Sequence, residues 1–104
     1  IPVHYELSQN YPNPFNPVTK IKFQIPLLSG VTDGRGALIQ ITIYDALGRE
    51  IVVLVNQQLQ PGTYEADWDA SAYPSGVYYY RLEVRYDGFA IGNFTETKKM
   101  VLVK

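Results

Sequence analysis

One imidazole, two carboxylates around a tryptophan, a glycine-rich loop and two strand arginines are the groups in this chain that could do chemistry. A catalytic His4 would need a partner within hydrogen-bond reach and a third group to orient it. No acidic residue or cysteine stands at a useful spacing, so catalysis by His4 is not expected. Asp67 and Asp69 flank Trp68. Glycoside hydrolysis requires two such acids across a cleft, about 5–9 Å apart. Residues i and i+2 of a strand can reach that separation, but a small β-domain offers little cleft. The simpler reading makes Asp67 a solvated strand residue and Asp69 the start of a turn continued by Ser71. Calcium held by Asp67, Asp69 and backbone carbonyls is conceivable, though no EF-hand spacing supports it. Gly30, Gly34 and Gly36 lack the spacing and the following Lys-Ser or Lys-Thr of a phosphate loop. Arg81 and Arg85, with Glu83 between them, read as mixed charge on a solvated face. Exposed tyrosines, notably Tyr79 and Tyr86, could instead stack on a sugar, or simply pack across strands.

The elements that must position these groups are strands. Thr19 to Ile25 alternates, with Ile21, Phe23 and Ile25 opposite Lys20, Lys22 and Gln24. Leu38 to Tyr44 repeats the pattern through Ile39, Ile41 and Ile43. Asp45-Ala46-Leu47-Gly48 is a tight turn, and Arg49 to Val55 returns, predicting a hairpin over 43–55. Pro61-Gly62 marks another turn. Thr63 to Asp69 then points Tyr64, Ala66 and Trp68 inward, with Trp68 a core anchor. Val77 to Tyr86 is the longest strand, with Tyr78, Tyr80, Leu82 and Val84 on one stripe. Asp87-Gly88 signals a hairpin, Phe89 to Thr95 comes back, and Lys99 to Val103 is a last strand. Helical periodicity is missing over any useful length. Six to eight short strands with turns every 8–12 residues make an all-β, antiparallel β-sandwich of about seven strands.

Ahead of these strands, residues 8–17 read SQNYPNPFNP. Three prolines exclude a helix or a central strand, and the asparagines can close Asx turns. We expect an ordered, extended lead-in over 1–17 that packs on a sandwich of residues 18–104, anchored by Tyr11 and Phe15.

Size and composition bound the function. At 104 residues with 46% apolar types, the chain suffices for one small domain and is too apolar for a disordered segment. Cysteine is absent, which removes disulfides, thiolate ligands and thiol nucleophiles. A formal net charge of -1 gives no basic field for nucleic acid. No apolar stretch approaches the ~20 residues of a membrane helix. Residue 1 is Ile, so the chain reads as a fragment whose export signal lies elsewhere. No cofactor is implied.

The last eight residues remain. Lys98 and Lys99 run into Met100, Val101, Leu102 and Val103, and Lys104 closes the sequence. This strand must pair into the domain or be handed to a partner. It is either an edge strand guarded by lysines or a peptide signal that presents backbone groups and positive charge to another protein.

Several blocks in order resemble one family. They are LSQNYPNPFNP at Leu7–Pro17, IYDALGREI at Ile43–Ile51, PGTYEADWD at Pro61–Asp69, SGVYYYRL at Ser75–Leu82 and TKKMVLVK at Thr97–Lys104. Together they resemble the type A C-terminal sorting domains of the type IX (Por) secretion system. The IYDALGRE and WD blocks also resemble an immunoglobulin-like module of flagellar hook-capping proteins, but the lead-in and the KKMVLVK ending favour the sorting domain. The resemblance implies an immunoglobulin-like sandwich with no catalysis of its own. It implies a module that takes an upstream cargo domain of the same polypeptide across the outer membrane, by way of the periplasm, to the cell surface or medium. Its partners would be the outer-membrane translocation machinery and a sortase-like protease that cuts the module away, leaving the cargo released or attached to the cell surface. The implied sorting signal maps onto Gly76, Val77 and Tyr78 and onto Lys98, Lys99, Met100, Val101, Leu102, Val103 and Lys104. The segment EVRYDGFAIGNFTE at Glu83–Glu96 is longer than the family's usual turn, which predicts an extra hairpin or a bulged pair of strands. A carbohydrate-binding module of a secreted hydrolase and a structural spacer domain are the competing readings.

Overall fold

The computed structural model describes residues 4–26, 37–85 and 94–104. Seven strands are present among them: β1 (Glu6–Leu7), β2 (Val18–Ile25), β3 (Ala37–Tyr44), β4 (Glu50–Leu59), β5 (Gly62–Asp69), β6 (Gly76–Arg85) and β7 (Phe94–Leu102). They form two antiparallel sheets, one ordered β1-β2-β5 and the other β4-β3-β6-β7. The predicted all-β sandwich is therefore observed. The glycine loop over 29–36, the Asp87-Gly88 hairpin signal and Tyr86 lie outside the described residues.

Alternation builds the core. Ile21, Phe23 and Ile25 of β2 and Ala66 and Trp68 of β5 are buried from one sheet. Ile39, Ile41 and Ile43 of β3 and Tyr78, Tyr80, Leu82 and Val84 of β6 are buried from the other. Each fully buried aliphatic side chain stabilises the fold by roughly 1.5–3 kcal/mol before the entropy of ordering is subtracted. Trp68 is the aromatic hub, with Phe15, Tyr73 and Tyr78 at ring-centroid distances of 5.7, 5.6 and 5.5 Å.

The β3–β4 turn is held by one carboxylate. Asp45 Oδ1 accepts from the backbone N–H of Leu47 and of Arg49, each at 2.9 Å, and Oδ2 accepts from Arg49 Nε at 2.7 Å. These bonds, the Arg49 amide foremost, hold the Asp45 carboxyl below its ordinary pKa despite some desolvation. Gly48 takes φ 84°, which a β-carbon would disfavour.

Two strand boundaries differ from the sequence reading. β4 runs on to Leu59 rather than ending at Val55, because Asn56, Gln57 and Gln58 pair with Gln40, Ile39 and Leu38 on an exposed sheet edge. Polar residues are at home there and leave no alternation to read. β7 is one continuous strand from Phe94, not a segment ending at Thr95 followed by another starting at Lys99. Its register with β6 runs unbroken from Val84↔Phe94 to Gly76↔Leu102. The intervening inward positions are Glu96 and Lys98, which form an ion pair at 3.3 Å. Inward charges on an edge strand hide the apolar period.

Candidate functional site

The two blocks singled out on β6 and at the chain's end are cross-strand neighbours. Gly76 pairs with Leu102, Val77 with Val101, Tyr78 with Met100, Tyr79 with Lys99 and Tyr80 with Lys98. Of the ten candidate residues, Tyr78, Met100 and Leu102 are buried. Val77, Lys98 and Val101 are half-buried, and Gly76, Lys99, Val103 and Lys104 are exposed. Met100 and Leu102 are thus core, and the part that a partner can touch is narrower than the sequence block.

The lead-in holds this strand on its outer side. It crosses from one sheet to the other: Ser8 N–H donates to Lys22 O at 2.9 Å, and Tyr11 exchanges two backbone bonds with Lys20. Phe15 N–H then donates to Val101 O at 3.0 Å, and Val103 N–H donates to Phe15 O at 2.9 Å. Val101 N–H donates to Asn13 Oδ1 at 3.0 Å, and Gln9 Nε2 donates to Lys99 O at 2.8 Å. Phe15 is 1% exposed, whereas Tyr11 is 79% exposed. The expected second aromatic anchor is therefore absent. Tyr11 bridges to Lys20 on the solvent side of its sheet, and its place in the interior is taken by Asn10.

Asn10 is a residue the sequence reading passed over. Its Nδ2 donates to Thr19 Oγ1 at 3.0 Å and to Pro12 O at 3.2 Å, and its backbone N–H donates to the Tyr80 hydroxyl at 2.9 Å. That hydroxyl in turn donates to Ser8 O at 2.7 Å. Burial pushes the Tyr80 phenol up to about 12, against the lowering effect of the Asn10 amide. An asparagine directly before a Tyr-Pro step was the available signal, since its short amide can capture nearby backbone.

The lower end of the sandwich is polar and tied down. Lys104 N–H donates to Ser75 Oγ at 2.9 Å, and Lys104 Nζ donates to Ser71 O at 2.6 Å. Ser71 donates to Asp69 through both its hydroxyl and its amide, which lowers the Asp69 carboxyl pKa. Asp67 pairs with Lys20 at 3.2 Å on the solvent face. Beside Gly76–Tyr78 lies an open, mainly apolar cleft of about 320 Å³ bordered by Asp45, Leu47, Ile51 and Tyr73. Tyr44 and Tyr79 are register partners on the outer face, both half-buried, and the Arg81 guanidinium lies 4.8 Å over the Tyr44 ring. His4 is exposed, and its carbonyl accepts from Gln24 Nε2 at 3.2 Å. Among the described residues no group of three or more His, Cys, Asp or Glu could hold a metal ion.

Residues 9–102 match the family described as secretion system C-terminal sorting domain. The chain belongs to that family. It is a type IX sorting domain, and this class of domain marks a protein for export by the type IX machinery. The match spans both the Pro/Asn lead-in and the β6–β7 pair that the lead-in clamps. No curated protein and no solved structure matches the chain.

Proposed function

We propose that this domain is a non-catalytic targeting module that directs a cargo on the same polypeptide across the outer membrane through the type IX machinery. A sortase-like protease then removes it, and the cargo is attached to the cell surface or released. The family match over residues 9–102 carries this reading. We assign recognition to the exposed side chains of the β6–β7 end, namely Lys99, Val103 and Lys104 with Gly76 beside them; their exposure, against the burial of Met100 and Leu102, supports that assignment.

A reporter fused ahead of the domain in a type IX-competent host tests the proposal. Deleting Lys99–Lys104 removes Met100 and Leu102 from the core, so that deletion tests folding as much as recognition. The triple variant Lys99→Ala, Val103→Ser, Lys104→Ala changes exposed side chains and spares the core. It should stay folded by circular dichroism and leave the reporter inside the cell envelope, with cleavage abolished. Normal export and processing of a folded triple variant would count against the proposal.

A further inference from the structure

An antiparallel strand turns successive backbone groups alternately toward and away from its neighbour. Val101 sends both its N–H and its C=O to the lead-in, away from β6. Thr95, Thr97 and Lys99 share that parity, so their backbone groups also point outward. Gln9 takes the Lys99 carbonyl. The Lys99 N–H and both backbone groups of Thr97 and Thr95 have no partner among the described residues. This stretch is straight, with no shift of register against β6. The opposite edge of the same sheet is different: β4 is bulged twice, between the partners of Ile41 and Thr42 and of Ile43 and Tyr44. Bulges blunt an edge against added strands.

Charge beside the open stretch is one-sided. Arg81, Arg85 and Lys99 stand on the outer face of β6 and β7, with Glu83 as the anion among them; Glu96, inside the stretch, turns to the other face and pairs with Lys98 at 3.3 Å. Glu83 is shared by both arginines at 3.8 and 3.9 Å, and Lys99 has no carboxylate partner among the described residues. The free edge of β5 lacks this excess, because Glu65 and Asp67 already meet Lys20 and Lys22.

We propose that Thr95–Lys99 is a docking strip for an extended, acidic segment of a partner protein, which adds to the sheet as a fifth strand beside β7. Backbone pairing supplies the attachment, and carboxylates at alternate positions of the incoming strand meet Lys99, Arg81 and Arg85. This rests on the sorting reading and names the contact by which the partner grips the domain.

The test is Thr97→Pro in the reporter fusion. Proline removes an outward N–H and no β6–β7 hydrogen bond, and it is tolerated on strand edges. The purified variant should melt within a few degrees of the unaltered domain, while export falls at least tenfold. Thr97→Val keeps every backbone group and should export normally. Thr97→Glu also keeps them but sets a negative charge against the acidic strand, and should reduce export severalfold. It decides the matter if the proline variant fails to fold. Folded Thr97→Pro exported at the unaltered level, or Thr97→Glu indistinguishable from Thr97→Val, would overturn the docking strip. Failure of the unaltered fusion to be exported would instead overturn the sorting reading itself.

Discussion

Tyr11 and Phe15 stand four residues apart in one segment, each followed or preceded by proline, and they end in opposite environments. Phe15 is inside the sandwich against Trp68; Tyr11 is in solvent. Hydrophobicity does not separate them. The difference lies in the strand each residue bridges. Tyr11 pairs with Lys20 of β2, on the solvent side of the three-stranded sheet. By Phe15 the chain has crossed to the edge of β7, where it bridges Leu102 and turns its ring inward. A segment that changes sheets presents successive aromatics to different solvents, and its role is set by backbone partners.

The largest expected effect comes from removing the inner ring. Phe15→Ala leaves a cavity beside Trp68 and should destabilise the domain by about 3–5 kcal/mol. For a domain of this size that lowers Tm by on the order of 10–25 °C. Differential scanning calorimetry checks it. A loss below about 1 kcal/mol would mean that Phe15 does not anchor the lead-in.

Just ahead of Tyr11, the Tyr80 hydroxyl of β6 ties down Asn10 and Ser8. Tyr80→Phe strips the acceptor from Asn10 N–H and the donor from Ser8 O, and should cost about 1–3 kcal/mol near neutral pH. Its pH dependence follows from linkage. The Tyr80 phenol is raised from 10.0 to about 12 in the folded domain, so the folded state keeps its proton where the unfolded chain loses it. Stability from this group is full below pH 10 and is lost as pH rises from 10 through 12. Chemical denaturation at several alkaline pH values should show that decline, and the Phe variant should show a shallower one.

These residues also mark what sequence reasoning could reach. The stripes Ile21-Phe23-Ile25, Ile39-Ile41-Ile43 and Tyr78-Tyr80-Leu82-Val84 were legible because each alternates on one buried face. The Asp45–Gly48 turn was legible because its chemistry is local. The continuity of β7 was not, since Glu96 and Lys98 occupy inward positions on an edge. The length of β4 was hidden by its exposed polar run. Asn10 and the exposure of Tyr11 depend on partners about 10 to 70 residues away, which no local pattern encodes. At the chain's end, composition marked the basic-apolar block, but only pairing shows that Met100 and Leu102 are core while Lys99 and Lys104 are surface.

Asn13 lies between the two aromatics and tests whether the clamp on β7 depends on side chains as well as on Phe15. Asn13→Ala removes one acceptor from the Val101 N–H, at a partly solvated edge where water can substitute. The expected cost is about 0.5–1.5 kcal/mol. Amide exchange read by NMR should quicken at Val101 while Met100 and Leu102, which face β6, stay protected. Equal loss of protection at all three would show that the lead-in holds the whole strand rather than its outer edge.

Tyr11→Ser should be the mildest change and is the sharpest test of the contrast. The ring is 79% exposed, while the residue's attachment is through its backbone, which serine retains. Stability should stay within about 0.5 kcal/mol of the unaltered domain. The denaturation midpoint in urea measures this directly. A drop comparable to that of Phe15→Ala would show that the ring is buried in solution and that two aromatics, not one, fasten the lead-in. A near-neutral result assigns the fastening to Phe15, Asn10 and the bonds to β7, and leaves the Tyr11 ring as a rigidly presented surface group that folding does not require.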